Sequence, residues 1–180
     1  VTIVEIANAL AAFMETEFRS HDSPFDAYLA GDTAALHPAA RRGLDLFYGA
    51  AGCAGCHSGP LLTDHGFHAL ALPQFGPGRT RRFDPYARDV GRMGETDLLE
   101  DAYRFRTPSL RNVALTAPYG HNGAYPTLET MVRHHAAPAR MRAAWSPDMA
   151  HLPKIPWLQP VDFVIQQDRL ETARHARVLD

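Results

Sequence analysis

The only two cysteines of the chain lie three residues apart in the run GCAGCHSGP, residues 52–60, and a histidine follows the second directly. Three chemistries use such a pair. A redox dithiol sits where a strand enters a helix in a thioredoxin-like βαβ unit, and the residues before Cys53 carry no strand pattern. A structural zinc ion takes four ligands, so Cys53 and Cys56 would need two more. There is no second cysteine pair, and His65 and His68 follow too closely for finger spacing. Covalent haem attachment uses every residue of the motif: each cysteine sulfur adds to a porphyrin vinyl group, and His57 is carried beneath the ring with an imidazole nitrogen on the iron. The motif therefore predicts one haem c, anchored by Cys53 and Cys56 with His57 as proximal ligand.

A six-coordinate iron needs a donor on its other face, and Met14, Met93, Met131, Met141, Met149 and the remaining histidines are available. In TLETMVRHH, residues 127–135, a helical step of about 100° places Met131 at about −60°, Val132 at about +40° and His135 at about −20° from Leu128. His135 is thus expected in the middle of an apolar stripe, and His134 on the opposite side, facing water. Met131 is the rival donor, although a methionine at helical spacing beside Leu and Val more often fills a core. His121, between Gly120 and Asn122-Gly123, reads as a loop residue near the start of this helix, with a surface role and a haem-environment role both open. Trp145 and Trp157 could relay electrons or simply pack, and the arginines of GRTRRF, residues 78–83, form a solvated face or pair with a haem propionate.

Elements must carry these residues. The opening reads as a helix, with Thr2 and Glu5 as a capping box and Ile3, Ile6, Leu10, Phe13 and Met14 on one face. The stretch SHDSPFDAYLAGDT, residues 20–33, reads as turns. Pro38 suits the first turn of a second helix, PAARRGLDLFYG, in which Gly43 and Phe47 lie four apart on one side, as close packing of two helices beside a porphyrin requires. Residues 59–104, rich in Gly, Pro and Arg, read as a long covering loop with one short hairpin or helix. After the helix from Thr127 to His135 comes an irregular segment, 136–160, and VDFVIQQDRLETARHARVLD, residues 161–180, reads as helical again with Arg and His toward its C-terminal end. No run alternates as a strand does and nothing repeats, so the expected class is all-α.

The 180 residues suit a single domain, 1–180, and 46% hydrophobic residues are enough for a core. A formal net charge of −2 without a basic stripe argues against nucleic acid, and no apolar run is long enough to span a bilayer. Val1 opens straight into VTIVEIANALAAF without the pattern of a secretory signal, whereas covalent haem attachment implies export; the chain therefore reads as processed or as a fragment.

The order Cys-x-x-Cys-His, then FRTPSLRNVALTAPYGHNG (105–123), then TLETMVRHH resembles the C-terminal haem domain of bacterial di-haem cytochrome c peroxidases and the MauG-like enzymes. The resemblance implies a cytochrome c-like haem domain with long irregular loops. In that family the ligand to this haem lies fourteen residues beyond the histidine of the PYxHxG block, a position held by Met in the peroxidases and by Tyr in MauG. Here it is His135, which implies bis-histidine iron with His121 shaping its surroundings. The resemblance further implies a calcium ion bound in part by the main-chain carbonyls of Thr116 and Pro118, ligands that suit so hard a cation. It implies a periplasmic setting, an N-terminal haem domain of the same protein as partner, a small redox donor protein and a homodimer. In this scheme electrons enter through this haem and pass to a partner haem that reduces hydrogen peroxide. A plain electron-carrying cytochrome, and a MauG-like enzyme that uses peroxide to oxidise a side chain of another protein, are the alternatives. Neither the N-terminal haem domain nor the family's closing amphipathic helix is expected within these residues.

Overall fold

A computed structural model describes residues 1–20, 22–73 and 89–150. The fold is mostly helical, with one two-stranded sheet and long irregular connections. The chain divides into two compact units, Val1–Cys53 and the part that begins at Ala54, so the boundary falls inside the Cys-x-x-Cys-His motif.

In the first unit, helix α1 (Ile3–Glu17) starts at the expected capping box: the Glu5 N–H donates to Thr2 Oγ1 at 3.3 Å and the Thr2 N–H donates to the Glu5 carboxylate at 2.7 Å. Its apolar face, Ile3, Ile6, Leu10, Phe13 and Met14, is exposed. The stretch expected as turns contains a helix, α2 (Pro24–Leu29). Ser-Pro-Phe-Asp is itself a compact helix start, with Pro24 in the first turn and Ser23 and Asp26 capping each other reciprocally. Helix α3 (Pro38–Tyr48) is the expected second helix, begun by Pro38 and by the His37 ring nitrogen, which accepts from the Ala39 N–H at 3.2 Å. Among the described residues nothing lies within 4 Å of where a Cβ on Gly43 would stand.

In the second unit the sheet pairs β1 (Phe67–His68) with β2 (Phe105–Arg106), antiparallel, Phe67 opposite Arg106. The described residues of 59–104 otherwise hold the short helix α4 (Met93–Thr96), a 3-10 turn at Leu99–Asp101 and irregular backbone. The core gathers Leu72, Tyr119, Ala124, Tyr125, Trp145 and Ala150, edged by Leu70, Val113, Leu128, Met131, Met141 and Met149. Tyr119 and Tyr125 exchange backbone hydrogen bonds of 2.7 and 3.0 Å, closing the GHNG turn, whose two glycines take positive φ. Helix α5 (Leu128–Ala136) is the expected short helix, N-capped by Thr127. The segment expected to be irregular after it contains α6 (Pro138–Ala144), a run of good helix formers behind a proline at the first turn. No helix among the described residues is long and apolar enough to cross a membrane. The helix expected over residues 161–180, Trp157 and the GRTRRF arginines lie outside the described residues.

Candidate haem-binding site

Cys53–Gly55 forms a single 3-10 turn, so the two cysteines follow one another around one tight coil, both with free thiols and partly exposed. His57 comes next, and its Nδ1 lies 3.1 Å from the Leu62 carbonyl oxygen. A carbonyl only accepts, so Nδ1 carries the proton and donates, leaving the Nε2 lone pair free. The Leu62 carbonyl is in turn held by the loop around it. The Asp64 N–H donates to the Cys56 carbonyl at 2.8 Å, and the Thr63 N–H to the Ser58 carbonyl at 2.9 Å. From the FRTPSLRN block, Ser109 Oγ donates to the Leu61 carbonyl at 2.6 Å and Arg111 Nε to the Pro60 carbonyl at 2.8 Å. Thr63 Oγ1 donates back to the Thr107 carbonyl at 2.8 Å. The block thus clamps the loop that orients His57. Its sequence advertises this weakly, because a side chain bonding a backbone carbonyl some fifty residues away has no local pattern.

His135 sits in the last turn of α5, where its Nδ1 donates to the Met131 carbonyl one turn back at 3.0 Å, again leaving Nε2 free. The His57 and His135 ring centres are 6.3 Å apart, with 62° between their planes. Two metal–nitrogen bonds of about 2 Å, with each nitrogen about 1 Å from its ring centre, put two imidazoles on opposite sides of one ion about 6 Å apart, and each ring plane can turn about its own bond. Two imidazoles at this spacing, each with Nδ1 turned to a carbonyl and one of them directly after Cys-x-x-Cys, fit a covalently attached haem. Burial holds the basicity of His57 down, with the Leu62 carbonyl acting the other way, and burial followed by the Asp64 carboxylate pushes the Cys56 thiol up. A raised thiol is the opposite of what an activated redox cysteine needs.

His134 is the clear departure from the sequence expectation. It faces not water but the core, fully buried. Its Nε2 donates to the Leu70 carbonyl at 2.7 Å, so its Nδ1 accepts, and the Tyr125 hydroxyl supplies the proton at 2.8 Å. Both nitrogens are occupied, which leaves no lone pair for a metal. Helix α5 turns Leu128, Met131 and His134 inward, while Val132 and His135 are exposed; only the Leu128 and Met131 side of the expected apolar stripe packs against the protein. Burial lowers His134 basicity, with the Leu70 carbonyl opposing, and burial pushes the Tyr125 hydroxyl up to about 12.

The other expected residues are placed as follows. His121 pairs with Asp89 and stacks on Phe105, ring centres 3.8 Å apart at 28°. Thr116 and Pro118 lie in an exposed stretch before Tyr119. Trp145 is buried and donates from Nε1 to the Ala124 carbonyl at 3.0 Å, a packing role with its polar atom satisfied. Of the histidine pair weighed for zinc, His68 joins Asp64 and Cys56, with one ligand atom from each within 4.8 Å of the others, and His65 does not. Three donors fall short of a structural zinc set.

No family model matches the chain. Over 149 residues it is 39% identical to cytochrome-c peroxidase IdrP1 of Denitromonas iodatirespirans, covering 72% of this chain and 40% of that protein. Over 129 residues it is 42% identical to cytochrome c peroxidase Ccp of Escherichia coli strain K12, 71% and 26% of the two chains. Methylamine utilization protein MauG of Methylophilus methylotrophus matches at 35% over 146 residues, 80% and 40% of the two chains. The chain is a homologue of the cytochrome c peroxidases and MauG. It spans about 40% of the length of IdrP1 and of this MauG. Its fold is similar to the crystal structure of a MauG-like protein associated with microbial copper homeostasis, with a TM-score of 0.54 and 29% identity over 86% of this chain and 52% of that one. The resemblance and the fold class read from the sequence are both borne out.

Proposed function

We propose that the chain is a c-type haem domain of a cytochrome c peroxidase-like oxidoreductase, tethering haem through Cys53 and Cys56 and ligating its iron with His57 and His135. The observation that carries this reading is the pair of imidazoles 6.3 Å apart, each with Nδ1 turned to a main-chain carbonyl. Bound there, haem supplies a one-electron couple. The Leu62 and Met131 carbonyls hold the two Nδ1–H groups and keep both Nε2 atoms basic, and the FRTPSLRN clamp holds the Leu62 carbonyl in place. With His57 and His135 both holding the iron, no position would be left for peroxide, so this domain would pass electrons on and peroxide would be reduced at a haem of another domain of the whole protein. That activity, the periplasmic setting, a small redox donor, a homodimer and calcium on the Thr116 and Pro118 carbonyls belong to the same reading. Likeness to MauG favours, as a second reading, the use of peroxide to modify another protein.

The chain matured by a cytochrome c assembly system should carry the mass of one haem and turn over hydrogen peroxide slowly with a reduced donor. A bare polypeptide mass after such maturation contradicts the tether, and rapid turnover by the chain alone contradicts the division of labour.

A further inference from the structure

Tyr125 and His134 are both fully buried and satisfy each other, and neither is used by the scheme above. Tyr125 is itself fixed: its backbone is paired with that of Tyr119, and its ring lies in the core. From this anchor the Tyr125 hydroxyl donates to His134, and His134 donates across 64 residues of sequence to the Leu70 carbonyl, just beyond β1. Helix α5 is therefore held at two directional points on one side chain, one toward the GHNG turn and one toward the segment after the sheet. Its other inward residues, Leu128 and Met131, make apolar contacts, which do not fix rotation. Because successive residues on a helix differ by about 100°, whatever fixes the direction of His134 also fixes that of His135.

We propose that His134, clasped between the Tyr125 hydroxyl and the Leu70 carbonyl, is a positioning residue that sets the rotation of α5 and so presents His135 toward His57; this rests on His135 being an iron ligand. A buried polar bridge serves here better than an apolar residue because it accepts one orientation and penalises the rest. The partner groups also reject substitutes: an apolar side chain at 134 would leave the Tyr125 hydroxyl without its buried acceptor, whereas a glutamine offers an acceptor to Tyr125 and a donor to Leu70.

The test uses the haem-loaded chain and reads the spin state of the ferric iron and the rate at which cyanide binds it. Tyr125→Phe removes one hydroxyl and keeps the ring, and should raise the cyanide rate about five- to tenfold, the effect of one buried hydrogen bond on the opening of the His135 bond. His134→Leu should raise it further and add a high-spin fraction, and His134→Gln should return both readouts toward native. If His135→Ala gives high-spin iron while Tyr125→Phe and His134→Leu both bind cyanide at the native rate, the clasp has no positioning role and the ligand assignment stands. If His135→Ala remains low-spin while His134→Leu becomes high-spin, both the ligand assignment and the clasp are overturned. Should His134→Leu fail to fold, Tyr125→Phe and His134→Gln decide alone.

Discussion

Two main-chain carbonyls, of Leu62 and Met131, do the same work on the two histidines: each takes an Nδ1 proton and leaves an Nε2 lone pair. The cysteine spacing and His57 are legible in a dozen letters of sequence, because covalent attachment demands those residues in that order. The carbonyl partners are not, since any residue can offer a carbonyl and only the fold decides which one arrives. Ser109 and Arg111 are the side chains that make Leu62 arrive, so Ser109→Ala should cost about 1 kcal/mol of stability, measured by chemical denaturation, and broaden the haem spectrum. Asp64, in the same loop, is a pH-sensitive member. Its slight burial acts upward, but hydrogen bonds with His68, Thr107 and the Gly66 N–H hold its carboxyl at about 2, below the usual 3.8. A carboxylate with a depressed folded pKa stabilises the fold above its unfolded value and loses that contribution as the pH falls through the folded one. The stability difference between the native chain and Asp64→Asn should therefore be constant from pH 7 to about 4 and vanish toward about 2; at this partly exposed site it should be no more than about 1 kcal/mol. A gap undiminished at pH 2 would show that the carboxylate charge is not its source.

At the scale of elements, α1, α3 and α5 were readable from caps and periodicity, and α2 and α6 were not, for opposite reasons. Ser23-Pro-Phe-Asp26 is a complete helix start hidden in a stretch whose composition says turn, while α6 begins so soon after α5 that the two merge into one interrupted segment. The rotation of α5 is only partly legible because a helical wheel counts apolar letters: Leu128 and Met131 do pack inward, but the wheel centres the stripe on His135, whereas the buried face is completed by the polar Tyr125–His134 pair, which no hydropathy pattern scores. The cap of α5 gives an independent handle. Thr127 Oγ1 accepts from the Thr130 N–H at 3.2 Å, and Thr127→Ala should cost about 1 kcal/mol by denaturant titration without changing the iron ligands. A change in the resting spin state in that variant would mean that the first turn of α5, as well as its last, governs the site.

At the scale of the whole molecule, the homology and the fold agree, while the chain covers about 40% of the relatives IdrP1 and MauG. The apolar face of α1 is exposed although its caps are formed. The reduction potential belongs to this scale as well, since it reflects both ligands and their surroundings: with two imidazoles it should lie below that of relatives with an imidazole and a thioether. The central claim is that His57 and His135 face each other across one iron, and the ferric spectrum of the haem-loaded His135→Ala chain, beside Met131→Leu, tests it most directly. The native and Met131→Leu proteins should be low-spin, without the weak red-region methionine-to-iron band, and His135→Ala should be high-spin. Low-spin iron in His135→Ala, or high-spin iron in Met131→Leu, would contradict it.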